Sequence, residues 1–164
     1  DALLKTLGGR HFQLPGSYRT GLTALRQVLK DKADIDLGNA IIEDGSGLSR
    51  SNRITARQLG QVLDYIYRND QQLGLLGLLP VSGESGTLRY RRSLSKPPLK
   101  GRYQAKTGTL FGTKNLAGIF TSAKGTPLVV AQIITNYFPS RKRKGPKPYI
   151  RFEQRLYNSL YSDY

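Results

Sequence analysis

The sequence predicts an α+β fold, with helices first and then an antiparallel sheet carrying a covering helix. Three observations lead there: two helical patterns of apolar residues in the first half, three alternating runs in the second, and a last amphipathic segment at the end. The helical and strand patterns are segregated rather than interleaved, which argues against a βαβ arrangement, and no internal repeat is visible.

Residues 18–30 read as a helix, because Tyr18, Leu22, Leu25, Val28 and Leu29 recur at three- and four-residue spacing. Asn39-Ala40-Ile41-Ile42 reads as a short strand running into the Gly-rich turn Asp44-Gly45-Ser46-Gly47. A second helix starts at Thr55, whose hydroxyl and the Gln58 amide are spaced for a capping box; Leu59, Val62, Leu63 and Ile66 then share a face. Residues 83–98, rich in Gly, Ser, Arg and Pro, read as a long surface excursion. Three strands follow over residues 103–110, 116–122 and 128–136, the last two joined by the tight Ala123-Lys124-Gly125-Thr126 turn. Residues 150–160 close the chain as a helix, with Phe152, Leu156 and Leu160 placed to pack on the sheet.

The 164 residues suffice for one ordinary domain or for the terminal piece of a larger one. With no Cys, the sequence excludes disulfides and thiolate metal ligands, and a lone imidazole, His11, assembles no zinc site. We therefore expect no metal and no cofactor, and read His11 as a surface or helix-end residue. No apolar stretch reaches the length of a membrane span, and no leader-like segment opens the chain. The net charge of +15 raises the possibility of a polyanionic partner. One basic run stands out, Arg141-Lys142-Arg143-Lys144-Gly145-Pro146-Lys147, and it reads as a solvated connection. Only Tyr149 and Phe152 lie near it, so the stacking aromatics of a nucleic-acid groove are missing and no specific nucleic acid is expected.

The chemistry-bearing stretch is Ala105-Lys106-Thr107-Gly108-Thr109-Leu110, on the first strand. Lys-Thr-Gly is one part of a three-part signature of penicillin-binding proteins and class A β-lactamases. Alternation sends Lys106 and Gly108 to one face and Thr107 and Thr109 to the other, so one ligand meets both sets only along the strand's edge. A peptide laid there would pair with backbone groups, and Gly108 removes a side chain that would block its approach. Thr107 can donate a hydroxyl to a terminal carboxylate, Lys106 supplies positive potential, and the Thr109 N–H is placed as an oxyanion donor. Taken without its surroundings, the tripeptide also fits an exposed strand with no ligand.

Over nearly its full length the chain resembles the C-terminal part of the class C low-molecular-mass penicillin-binding proteins, the DacB-like D-alanyl-D-alanine carboxypeptidases/endopeptidases. The matching blocks are Gly38-Asn39-Ala40-Ile41-Ile42-Glu43-Asp44-Gly45-Ser46-Gly47-Leu48-Ser49-Arg50, Leu79-Pro80 with Gly86-Thr87-Leu88-Arg89-Tyr90-Arg91, the Lys-Thr-Gly strand with Asn115-Leu116-Ala117-Gly118, and Arg151-Phe152-Glu153 with Arg155-Leu156-Tyr157.

The resemblance implies that residues 1–164 are the C-terminal part of one penicillin-binding-protein/β-lactamase-like catalytic domain, in the periplasm or cell envelope, acting on peptidoglycan stem peptides and β-lactams. It implies that a Ser attacks the terminal D-Ala-D-Ala carbonyl, with a Lys one helical turn later as base, through an acyl-enzyme that water hydrolyses. Lys106 and Thr109 are then the catalytic residues of this segment, and Lys106, Thr107, Gly108 and Thr109 its substrate-binding ones. Two parts of the signature are missing. No Ser-x-Asn occurs, and in the family that motif stands just before the helix corresponding to residues 1–8; it and the nucleophile are expected in the remainder of the same protein. Ser93-Leu94-Ser95-Lys96 fits Ser-x-x-Lys, but Pro97 and Pro98 disfavour the helical turn that would bring Lys96 beneath Ser93. Asp44 and Ser49 read as turn-building residues. Two rival readings are a non-catalytic basic module that binds peptidoglycan or another polyanion, and a homologue that has lost catalysis.

Overall fold

The computed structural model describes residues 1–138 and 145–164, which form two compact units, Asp1–Val62 and Leu63–Tyr164. The first unit is built on α1 (Ala2–Phe12) and α2 (Tyr18–Ala33). Ser17 starts α2 with a capping box, its hydroxyl accepting from the Thr20 N–H while the Thr20 hydroxyl accepts from the Ser17 N–H. The two helices approach closely because both contact points are glycine. A Cβ on Gly8 would lie 2.4 Å from the Gly21 nitrogen, and one on Gly21 would lie 2.3 Å from the Leu4 carbonyl oxygen.

After α2 the chain is irregular, with Ile35, Leu37 and Ala40 buried and the Arg26 guanidinium donating to the carbonyls of Leu37 and Ala40. The strand expected at Asn39-Ala40-Ile41-Ile42 is reduced to a single bridge between Ile41 and Arg53. The capping box at Thr55 and Gln58 forms as expected and opens α3 (Ala56–Arg68). The rest of the Gln58 side chain is buried, donating to the Asp36 carbonyl and the Asn39 side chain.

The second unit holds the short α4 (Asp70–Leu73), single 3₁₀ turns at Leu76–Leu78 and Gly86–Leu88, and a three-stranded antiparallel sheet of order β1-β2-β3. Its strands are β1 (Tyr103–Leu110), β2 (Thr113–Thr121) and β3 (Pro127–Gln132), and α5 (Pro148–Asp163) follows. β3 ends earlier than its hydrophobic run because the Asn115 side chain takes the Ile134 N–H at 3.1 Å in place of a backbone carbonyl.

In the register of β1 on β2, Tyr103, Ala105, Thr107 and Thr109 stand opposite Phe120, Gly118, Leu116 and Lys114. Direct partners share a face, so this face carries the core: Tyr103, Phe120 and Tyr157 of α5 form a three-ring cluster with centroids 5.1–5.8 Å apart. Burial pushes the phenols of Tyr103 and Tyr157 well above the ordinary tyrosine range.

Two expectations hold only in part in this core. Most of residues 83–98 is exposed as expected, but the irregular stretch is anchored by Leu88 and Leu94, fully buried in the same cluster as Tyr103. On α5, Leu156 and Leu160 pack against the cluster as expected, but Phe152 does not. Phe152 is half exposed, whereas Ile150, Glu153 and Tyr157 are inside, with Leu156 and Leu160 partly covered. Glu153 is completely buried and accepts from the Arg91 guanidinium, the Ser93 hydroxyl and the Gln132 amide. A buried carboxylate is tolerated when its lone pairs and charge are matched in this way.

Candidate substrate-binding edge

β1 lies at the edge of the sheet, and the N–H and C=O groups of its odd-numbered residues point away from β2. The first part of that edge is covered by residues 80–82. Ser82 N–H donates to the Tyr103 carbonyl at 2.9 Å, and Ala105 N–H donates to the Pro80 carbonyl at 3.0 Å. The buried Ser82 hydroxyl accepts from the Arg102 and Tyr103 N–H groups and donates to the Leu99 carbonyl. Pairing stops at Pro80. The next bond of this ladder would run from residue 80 to the Ala105 carbonyl, and proline has no N–H to give.

From Lys106 onward no strand among the described residues pairs with the outer edge of β1. The expected open edge is thus present over the second half of the strand and closed over the first. Lys106 is exposed and its ammonium donates to the Thr107 carbonyl at 2.7 Å. The Thr107 hydroxyl lies 3.1 Å from that of Thr87. Gly108 has ordinary extended backbone, and a Cβ there would meet only the Asn115 side chain, at 3.4 Å or more. Local packing therefore does not require glycine. Thr109 is exposed, and its cross-strand partner Lys114 has an ammonium pushed below the usual lysine range by partial burial and then by nearby Lys147 and Arg91.

Lys106, Thr107, Gly108 and Thr109 accordingly surround one stretch of free backbone edge. The other residues singled out in the sequence do not join them. Ser93 is buried against Glu153 in a segment without helical turns, and Lys96 is exposed. Asp44 ties its own loop: its carboxylate accepts from the N–H groups of Gly47, Leu48 and Ser49, the Ser46 hydroxyl and the Asn52 amide. Those bonds hold its pKa well below the usual carboxylate range. Ser49 Oγ accepts from the Ser51 N–H in the same loop, and His11, at the end of α1, bonds the Gln27 amide at 2.9 Å.

Within the basic run, residues 141–144 lie outside the described residues; Lys147 is the N-cap of α5. Among the described residues there is no cluster of three or more potential His, Asp or Glu metal ligands, and no helix is long and apolar enough to cross a membrane. Sequence reasoning missed Thr87 and the strap at 80–82 as parts of this edge. Pro80, next to an apolar run, was the available signal, since a proline ends strand pairing on its own side.

An antiparallel sheet backed by a C-terminal helix, with a Lys-Thr-Gly edge strand, is the architecture of the penicillin-binding-protein class of folds, and the chain falls in it. The D-Ala-D-Ala carboxypeptidase 3 (S13) family matches residues 1–156, and the chain belongs to that family. It is similar to the D-alanyl-D-alanine carboxypeptidase DacB of Haemophilus influenzae, with 37% identity over 98% of this chain and 34% of that protein. Carboxypeptidase DacB of Mycolicibacterium smegmatis is 39% identical over 80% of the chain and 28% of its own length. The crystal structure of Haemophilus influenzae penicillin binding protein 4 complexed with a β-lactam superposes with a TM-score of 0.90 at 37% identity, covering 98% of this chain and 37% of that one. The chain thus spans about a third of the length of these relatives.

Proposed function

We propose that this chain is the C-terminal part of a serine-type D-Ala-D-Ala carboxypeptidase/endopeptidase, working on peptidoglycan stem peptides in the periplasm or cell envelope, and that both of its compact units belong to one catalytic domain. The observation that carries the reading is the half-open edge of β1, where Lys106, Thr107, Gly108 and Thr109 surround unpaired backbone in a chain of this family.

In this reading the acyl donor lies along residues 106–109 as an added strand. Thr107 donates its hydroxyl to the terminal carboxylate, and Lys106, one residue away, lowers the energy of that anion. The Thr109 N–H points off the edge toward the reacting carbonyl, where it stabilises the developing oxyanion together with a donor from the rest of the protein. The nucleophilic Ser, its Lys base and the Ser-x-Asn motif are supplied by that remainder. Ser93 takes no part, because its proton is committed to Glu153. β-Lactams occupy the same edge as mimics of the D-Ala-D-Ala bond, and acylate the same Ser.

The test uses the longer protein that contains this chain, incubated with a labelled penicillin. The wild type is expected to be acylated, and Lys106→Ala to slow acylation by on the order of a hundredfold, as for other preorganised electrostatic groups. An unaltered rate in a folded Lys106→Ala protein overturns the role of the strand. The separate chain, lacking an activated nucleophile, is expected to form no adduct; a stoichiometric adduct on Ser93, read by mass spectrometry, overturns the reading from the other side.

A further inference from the structure

We propose that Thr87 is a positioning residue that aims the Thr107 hydroxyl at the C-terminal carboxylate of a peptide laid along the open half of β1, and so sets the preference for a free carboxylate there. This rests on the functional reading above and adds to it a residue outside the Lys-Thr-Gly strand.

The Thr87 and Thr107 hydroxyl oxygens are 3.1 Å apart. A hydroxyl has one hydrogen and two acceptor sites and rotates to suit its neighbours. With an anion at the edge, only one arrangement satisfies all three groups: Thr87 donates to Thr107, and Thr107 donates to the carboxylate. The reverse arrangement spends the Thr107 hydrogen on Thr87 and turns an oxygen lone pair toward a negative charge. Thr87 therefore fixes the direction of the donor chain, and polarises it.

The fold holds Thr87 in place from both sides. Leu88, the next residue, is fully buried in the core and its carbonyl accepts from Gly83 N–H at 3.1 Å. Gly86, the preceding residue, has φ 48° and sits against Pro80, where an added Cβ would come within 3.0 Å of the ring. Pro80 is the residue at which the strap leaves β1, so Thr87 stands where the open half of the edge begins. Thr87 itself is exposed, its side chain making no contribution to the buried cluster.

The experiment compares, in the longer active protein, a D-Ala-D-Ala peptide bearing a free C-terminal carboxylate with its C-terminal carboxamide, for wild type, Thr87→Val and Thr87→Ser. The expected result is a loss in kcat/KM of up to about tenfold for the acid in Thr87→Val, the size of one neutral hydrogen bond that directs the next one in the chain. The carboxamide, which offers no anion, keeps its wild-type rate and serves as the control for folding. Thr87→Ser, which restores the hydroxyl, recovers the acid. Equal losses on both substrates, or no loss on the acid in an otherwise active protein, overturn the role of Thr87 alone. A wild-type protein that neither hydrolyses the acid nor reacts with penicillin overturns the functional reading, and this role with it.

Discussion

The two halves of β1 differ in what their outer edge is given. Over Tyr103 and Ala105 the edge is satisfied internally: Ser82 and Pro80 take its backbone groups, and the side chains beneath are fully buried. Over Lys106 to Thr109 the same strand, in the same ladder with β2, has Lys106 and Thr109 exposed and Thr107 half-buried, and no strand among the described residues pairs with its outer edge. One half is built for stability and the other leaves hydrogen-bonding capacity for a ligand. The transition between them takes one residue, and a stretch of strand can hold both roles only because its neighbour is interrupted.

The largest effect is expected in the core beneath the sheet. Glu153→Ala removes a carboxylate that four donors share and leaves Arg91 buried without its partner, so a loss of about 3–5 kcal/mol is expected in urea unfolding. A loss below about 1 kcal/mol would show that the network is dispensable. On the open half the expected signature is reversed. Gly108→Val should leave the melting temperature nearly unaltered, since its Cβ meets only ordinary contacts. It should nevertheless slow penicillin acylation of the longer protein by on the order of a hundredfold, by pushing the ligand off the edge. A variant that acylates normally would place the ligand elsewhere.

Ser82→Ala sharpens the comparison from the closed side. It strands the buried N–H of Tyr103, while Arg102 N–H keeps the Leu99 carbonyl as partner, so a loss of about 1–2 kcal/mol of stability is expected. The smallest effect belongs to the Asp44 loop, far from either half in sequence. Its folded pKa lies below the unfolded value, so its stabilising contribution is fully present above about pH 4 and is lost as pH falls further. Acid titration of stability should show a shallower decline in Asp44→Asn than in wild type; parallel curves would mean that the loop's bonds carry no net stability.

Much of this was legible in the sequence. Residues 103–110 alternate cleanly enough to give β1 its full bounds, and Thr55 with Gln58 announced the start of α3 through a local, directional pairing. Local signals failed where burial was arranged over distance. Leu88 and Leu94 follow neither strand nor helix period, so their segment read as surface although both are buried in the core cluster. The burial of Glu153 has no local signal on α5, because Arg91, Ser93 and Gln132, which make it tolerable, lie far away in the chain. Of the site, the strand itself was readable, whereas the strap and Thr87 were not, since only the folded register brings them to β1.

The imino acid at position 80 has a consequence for what can bind. Because the strap gives out there, the groups left along β1 run from the Ala105 carbonyl, through the Thr107 N–H, to the Thr109 N–H, the Thr107 carbonyl accepting from the Lys106 ammonium. That interval measures about 13 Å at the usual rise of a strand, the span of roughly four to five residues of an antiparallel guest. Replacing Pro80 by any residue with an N–H would let the molecule's own chain claim the Ala105 carbonyl. The guest would then lose its first anchor and could slide. In the proposed function, a missing hydrogen atom on the host would thus work as a ruler, fixing both how long a peptide the edge accepts and the register in which it lies.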